Sequence, residues 1–412
     1  MPEHIFIKTN NTIRNDDIVK KLMTGEYPDL VWIKEKRIGV FSPSQLDFFI
    51  EEEERHGKKI LTAHISQPLK TMSSGERKKV LLEYLLHQNV EVLILVNPFD
   101  NLDVVSQDSL KTSLVELASS LSLIQVSNRT RDILPILNIC YKINGDSTLL
   151  AANSADLADK KNEISSSFSL HIPPALQKPL TPPEILVQFK KVSVGFSEKL
   201  VLNKIDWTIR SNEFWQLIGP NGSGKSTLLQ MITGDSHKGY GQDLVLFGQK
   251  KGSGESVWDI KKQIGYFSPA MVDRFRGYHT MTNMIISGLH DSVGLYYNPS
   301  EIEQNLAFKW LECLKLEHKK ERYFNTLSLG EKRLILTARA MIKHPPLLIL
   351  DEPTVGLDDD STKLFVNLVN AYAQKSTSAI IYVSHRNEPQ LKPQKTFELK
   401  PTALGSRGKK QA

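Results

Sequence analysis

Cysteine is scarce. Only Cys140 and Cys313 occur among 412 residues, too few for a disulfide framework or a tetrahedral thiolate zinc site. Long apolar runs are missing as well. The longest bursts, Val92–Val96 and Leu347–Leu350, are strand-length, whereas a membrane-crossing helix needs about 20 apolar residues. The opening MPEHIFIKTNN lacks the basic start and apolar stretch of a secretory leader. Charge of one sign barely prevails: 52 Lys and Arg face 46 Asp and Glu, a net +6, which suits an ordinary solvated surface and gives no strong nucleic-acid signal. A composition 40% hydrophobic and 24% charged excludes a largely disordered chain. The expectation is a cytoplasmic protein of two or three domains, at roughly 100–200 residues each.

Composition shifts between about Asn144 and Pro183, a stretch rich in Ser, Ala, Asp and Pro without sustained periodicity, which reads as a linker over 146–183. It separates a domain at 1–145 from one at 184–400, with a basic, disordered tail expected over 401–412. The halves are related. IGVFSP at 38–43 recurs as IGYFSP at 264–269, and residues 70–103 align without a gap to 325–358 with 11 of 34 positions identical, where composition alone gives about two. Shared positions include Ser73 with Ser328, Gly75 with Gly330, Glu76 with Glu331, Pro98 with Pro353 and Asp103 with Asp358. An internal duplication follows.

The second half carries a nucleotide motif. Gly219-Pro220-Asn221-Gly222-Ser223-Gly224-Lys225-Ser226 matches GxxxxGK[ST], with the apolar run Phe214–Ile218 as the strand before it and Thr227–Ile232 opening a helix after it. The glycines let successive N–H groups curl round an anion, and the helix N-terminus adds its positive end. Lys225 is then the contact to the β- and γ-phosphates of ATP, and the Ser226 hydroxyl a ligand of Mg²⁺. Downstream, Leu347–Leu350 ends in Asp351-Glu352-Pro353, placing carboxylates where doubly wound sheets bind their ligands. Asp351 suits the Mg²⁺ shell, directly or through water; Glu352 is placed to orient or deprotonate the attacking water.

These residues carry a resemblance. Leu327-Ser328-Leu329-Gly330-Glu331 is similar to the LSGGQ signature of ATP-binding cassette (ABC) ATPases, with Leu329 in place of its first glycine. The order of pieces matches that family: Phe196, the phosphate loop, IGYFSP, the signature, Asp351-Glu352, Val355-Gly356-Leu357-Asp358, then Val383-Ser384-His385. The resemblance implies two P-loop NTPase-type α/β cassettes, each a parallel-rich sheet with a helical signature subdomain, arranged as a pseudo-dimer. It makes Phe196 the adenine-stacking residue, against a plain core aromatic, and His385 a γ-phosphate ligand, against a structural histidine. One departure stands out: the family usually has glutamine where Pro269 stands, so its oxygen contact is missing or supplied elsewhere, with Ser268 as the neighbour able to do so.

The first half keeps the frame without the chemistry. Aligning Ile7 with Ile218 places Lys8–Asp16 over Gly219–Thr227 and loses every glycine; that alignment needs a two-residue gap before Thr24-Gly25 meets Thr233-Gly234. Val96 replaces Asp351, Asn97 replaces Glu352 and Asn128 replaces His385. Ser73-Ser74-Gly75-Glu76 nevertheless retains the signature serine and second glycine, and Ser73-x-x-Glu76 is also a capping box in its own right. In the family, the signature of one cassette faces the phosphate loop of the other. The resemblance therefore implies one composite site, in which the Ser73 hydroxyl and Gly75 N–H close on the nucleotide held by Lys225, with Asp103 as a D-loop residue. The arrangement is similar to the ModF type of tandem cassette protein. It implies an energising subunit docked on separately encoded transmembrane subunits at the inner face of the cell membrane. The competing expectation is a soluble nucleotide-gated factor, and self-association as a homodimer is the alternative to intramolecular pairing.

Overall fold

A computed structural model of the chain describes residues 2–144, 148–152, 170–176, 182–196, 199–275, 277–385, 388 and 390–411. It comprises two compact units, Met1–Ser167 with Gly356–Asp360, and Phe168–Val355 with Ser361–Ala412.

The first unit is built on strands β1 (His4–Lys8), β2 (Ile38–Phe41), β3 (Val92–Val96), β4 (Ser122–Ser127), β5 (Ile139–Ile143) and β6 (Leu149–Ala152). They lie in the order β2-β3-β4-β1-β5-β6, parallel except for the β5–β6 hairpin. The all-apolar strand β3 shows why the sheet is buried on both faces. Side chains alternate along a strand, so Val92, Ile94 and Val96 join one core with Ile5, Ile7, Ile18 and Leu22. Leu93 and Leu95 join another with Leu81, Leu85, Leu114 and Leu123.

The second unit contains β7 (Ile185–Phe196), β8 (Lys199–Arg210), β9 (Phe214–Ile218), β10 (Leu244–Leu246), β11 (Gln249–Lys250), β12 (Ile264–Phe267), β13 (Leu347–Asp351), β14 (Ala379–Val383), β15 (Lys395–Lys400) and β16 (Arg407–Gln411). Its main sheet runs β12-β13-β14-β9-β15-β16, the same permutation as the first unit, while β11-β10-β7-β8 form a separate antiparallel sheet. That second sheet packs on the first through Trp207, stacked on Phe397 with ring centroids 4.4 Å apart and edge-on to Trp215. Against β12 lies the helix Leu329–Met341. A Cβ on Gly265 would stand 2.1 Å from the Ala340 carbonyl oxygen, which is why IGYFSP carries glycine there.

The duplication is therefore structural as well as sequential, and the expected parallel-rich α/β fold is borne out. Four expectations change in detail. The ladders pair Leu123 with His4 and Ile380 with Phe214, so Ile7 matches Leu217 rather than Ile218. Asn15, which begins helix Asn15–Thr24, then takes the place of Lys225, which begins helix Lys225–Ile232. Second, no counterpart of the antiparallel sheet exists among the described residues of the first unit. Third, part of the tail expected to be disordered is strand β16, paired antiparallel to β15. Its alternating backbone hydrogen bonds need no apolar side chains, and lysines are common on such edges. Fourth, the stretch expected as linker begins in strand β6, and its later residues Leu170 and Ile172 are buried in the second unit. There Lys375 donates to the Leu170 carbonyl at 2.9 Å and His344 contacts that of Pro173 at 2.8 Å; 153–169 and 177–181 lie outside the described residues.

Candidate nucleotide site

The phosphate-loop segment, Asp351-Glu352 and His385 follow the carboxyl ends of β9, β13 and β14, three adjacent parallel strands. Parallel order thus gathers on one edge residues up to 166 positions apart, from Gly219 to His385. The loop turns through left-handed backbone at Gly222 and Gly224, φ 74° and 93°. At Gly224 a Cβ would lie 2.6 Å from Leu202 Cδ2, so glycine is demanded by space as well as by dihedral. Leu202 pairs with Val194, two residues before Phe196. Phe196 therefore ends a hairpin bordering the loop, 44% exposed, with the Lys238 ammonium 5.3 Å from its ring centroid.

Lys225 is buried and donates from Nζ to the Gly219 and Pro220 carbonyls at 2.8 and 3.0 Å, its ammonium turned into the loop. Ser226 and Thr227 follow on the first turn. The Ser223 hydroxyl is buried without a hydrogen-bond partner, and buried hydroxyls ordinarily have one. A left-handed glycine loop, a buried ammonium and an orphaned hydroxyl at a helix N-terminus fit a bound triphosphate.

Across the edge, the His385 Nε2 meets Glu352 Oε1, leaving His385 Nδ1 buried and unpartnered. Burial favours the neutral form of Glu352, but the His385 ring, Lys225 and Arg333 outweigh it and hold its carboxyl below the usual range. Asp351 behaves oppositely. Burial and then the adjacent Glu352 charge push it up to about 6, against Lys225, His385 and Tyr266. A buried carboxylate whose charge its neighbours do not fully offset fits a place in a Mg²⁺ shell. Among the described residues no three His, Cys, Asp or Glu side chains form a metal site by themselves. The Tyr266 hydroxyl stands 3.5 Å from Asp351 Oδ2, with its phenol raised to about 12 by burial and then Asp351.

The first unit presents amides at the equivalent edge of its own sheet. Asn97 Oδ1 accepts from the Ser127 hydroxyl at 3.2 Å and the Asn128 N–H at 3.3 Å. Ser73 caps helix Ser74–His87 in a complete capping box with Glu76, as Ser328 caps Leu329–Met341 with Glu331. Both caps have φ −63° and ψ 160°. Gly75 lies in the first turn of its helix, and Asp103 caps Val104–Leu117 by accepting from the Ser106 N–H at 2.8 Å. One paired feature escaped sequence reasoning. Lys78 donates to the Pro98 carbonyl at 2.7 Å, and its repeat partner Arg333 donates to that of Pro353 at 3.2 Å. The signal was a basic residue at the same offset in both copies.

Comparison with known proteins agrees with this geometry. The ABC transporter family model matches residues 202–355. The ABC transporter ATP-binding protein ModF of Escherichia coli is 36% identical over 340 residues, covering 80% of this chain and 69% of ModF. The chain belongs to the ATP-binding cassette family. As an ABC ATP-binding protein with tandem cassettes it also resembles an uncharacterized ABC transporter ATP-binding protein of Schizosaccharomyces pombe, 30% identical over 76% of this chain and 65% of the relative. The chain spans about two thirds of the length of both relatives. Among solved structures, the archaeal ribosome recycling factor aABCE1, in complex with the ribosomal stalk protein aP1, shares the fold at a TM-score of 0.62. It is 15% identical, over 98% of this chain and 85% of that one. Among the described residues no helix is long and apolar enough to cross a membrane.

Proposed function

We propose that this ABC protein hydrolyses ATP at a single composite site. The observation that carries this is the contrast between two equivalent sheet edges. One bears Lys225, Asp351, Glu352 and His385; the other bears Asn15, Val96, Asn97 and Asn128. The second edge has no counterpart of Asp351 or Glu352, and Asp16 and Asp17 put negative charge in the helix turn where a phosphate would sit, so only the first supports in-line attack of water on a γ-phosphoryl group.

Ser226 and Asp351 would hold Mg²⁺, which when bound would neutralise phosphate charge. Lys225 binds the same phosphates, and Phe196 offers a ring face to adenine. Glu352, kept ionised, accepts the proton of the attacking water, while His385 fixes the Glu352 carboxylate and presents its ring to the γ-phosphate. From the first unit, Ser73 and the Gly75 N–H contribute the lid, and Asp103 contributes its D-loop. The test is phosphate release by Ser73→Arg with Mg²⁺ and ATP: hydrolysis should vanish although the residue lies in the inactive half. Normal turnover would overturn the composite geometry, or make an intermolecular homodimer the active pair.

The task we infer for this ATPase is energising a membrane transporter from the cytoplasmic face, through separately encoded transmembrane subunits, as the relatives' transporter names suggest. One feature favours a soluble nucleotide-gated factor instead: Pro269 offers no side-chain oxygen where the family's coupling glutamine stands. Pull-down from solubilised membranes against pelleting with ribosomes separates the two.

A further inference from the structure

The repeated segments IGVFSP at 38–43 and IGYFSP at 264–269 differ at one residue, Val40 against Tyr266. Their strands keep one register. Val40 pairs with Ile94 and Tyr266 with Ile349, partners that the duplication also matches. Side chains alternate along a strand, so Tyr266 shares a face of its sheet with Leu347, Ile349 and Asp351. Val40 shares the equivalent face with Val92, Ile94 and Val96. In the second unit that face is covered by Leu228, Leu229 and Ile232, from the helix after the phosphate loop. In the first, Ile18, Val19 and Leu22 of helix Asn15–Thr24 cover it.

Two exchanges therefore go together within one chain. Where the central strand ends in Asp351 its neighbour offers Tyr266, and where it ends in Val96 the neighbour offers Val40. Phenylalanine would fill the space of the ring, so packing alone does not account for the hydroxyl. That hydroxyl stands 3.5 Å from Asp351 Oδ2, a long bond, and the Ser268 side chain is a second polar neighbour. The matching Ser42 of the first unit is engaged elsewhere: it caps helix Pro43–His56 by accepting from the Gln45 N–H at 3.1 Å. Helix Met271–Arg274 has no such side-chain cap. Pro269, next in sequence, brings no side-chain oxygen, so Tyr266 is the polar group that this segment turns to Asp351.

We propose that Tyr266 is a positioning residue of the metal site: its hydroxyl holds the Asp351 carboxylate in the orientation that binds Mg²⁺, doing through a neighbour what Pro269 cannot do directly. Ligating carboxylates are themselves held by hydrogen bonds, and losing such a partner typically costs 10–100-fold in metal affinity. The joint loss of tyrosine and aspartate from the first unit then has one cause, because the hydroxyl has no task once the carboxylate is gone. The inference rests on the reading of Asp351 as a Mg²⁺ ligand, and its readout does not require turnover.

Equilibrium binding of a non-hydrolysable ATP analogue to the full-length chain tests it, in Mg²⁺ and in EDTA. The quantity read is the gain in affinity that Mg²⁺ brings. Tyr266→Phe, which keeps the ring, should cut that gain about tenfold and leave binding in EDTA at the parent's value. Asp351→Asn should cut it at least as far. Adding Tyr266→Phe to Asp351→Asn should change nothing further, because the hydroxyl acts through the carboxylate. A full Mg²⁺ gain in Tyr266→Phe, an equal loss in EDTA, or a second tenfold loss in the double variant overturns the positioning role and leaves the metal reading standing. A full gain in Asp351→Asn, or none in the parent, overturns both.

Discussion

Asn97 and Glu352 share one backbone conformation. Their φ angles are 42° and 46°, and each donates its N–H to the same register position on the neighbouring strand, Val126 at 3.0 Å and Val383 at 2.9 Å. Left-handed backbone is disfavoured for residues other than glycine, with asparagine among the most tolerant. The turn thus survives where its carboxylate is gone. It belongs to the fold, and the carboxylate belongs to the chemistry.

Glu352→Gln keeps the turn and the side-chain volume but removes the base. Hydrolysis should fall by about 10²–10⁴-fold, the range of general-base contributions, while ATP binding persists. Single-turnover phosphate release beside equilibrium nucleotide binding checks this; equal losses in both would make Glu352 a binding residue.

Gly224→Ala adds a Cβ at φ 93° and 2.6 Å from Leu202 Cδ2. The strain should cost about 1–3 kcal/mol of stability and weaken ATP binding by reshaping the loop. Thermal unfolding and nucleotide titration measure the two effects. An unchanged Tm with full affinity would show that Leu202 yields freely.

Asp351, pushed up to about 6 from an ordinary 3.8, gives a signed pH dependence. A carboxyl that holds its proton more tightly when folded makes the nucleotide-free protein lose stability as pH rises from about 4 to 6. Above pH 6 the charged form is fully penalised. Asp351→Asn should therefore raise Tm at pH 7–8 without Mg²⁺ or nucleotide, and the gain should disappear near pH 4. The same substitution should weaken Mg²⁺-dependent nucleotide binding at pH 7–8. A Tm gain independent of pH would place the effect in packing and not in charge.

Much of this protein was legible in its residues. GxxxxGKS, the apolar strand ending in Asp351-Glu352 and the repeated Ser-x-Gly-Glu are local, because each needs only a few consecutive side chains to express its chemistry. The repeat itself was legible because a capping box, Ser73 with Glu76 and Ser328 with Glu331, and the buried strands β3 and β13 keep the same offset in both copies. The register of Ile7 was not, since a one-residue slip beside a rewritten loop changes no local pattern. Strand β16 was not, because an edge strand paired through its backbone can carry Arg407, Lys409 and Lys410 and read as a tail. The bonds of Asn128, Arg129 and Thr130 to Gly356, Leu357 and Asp359 join residues more than two hundred positions apart. Such contacts have no spacing to read, and only folding brings their donors and acceptors within hydrogen-bond distance.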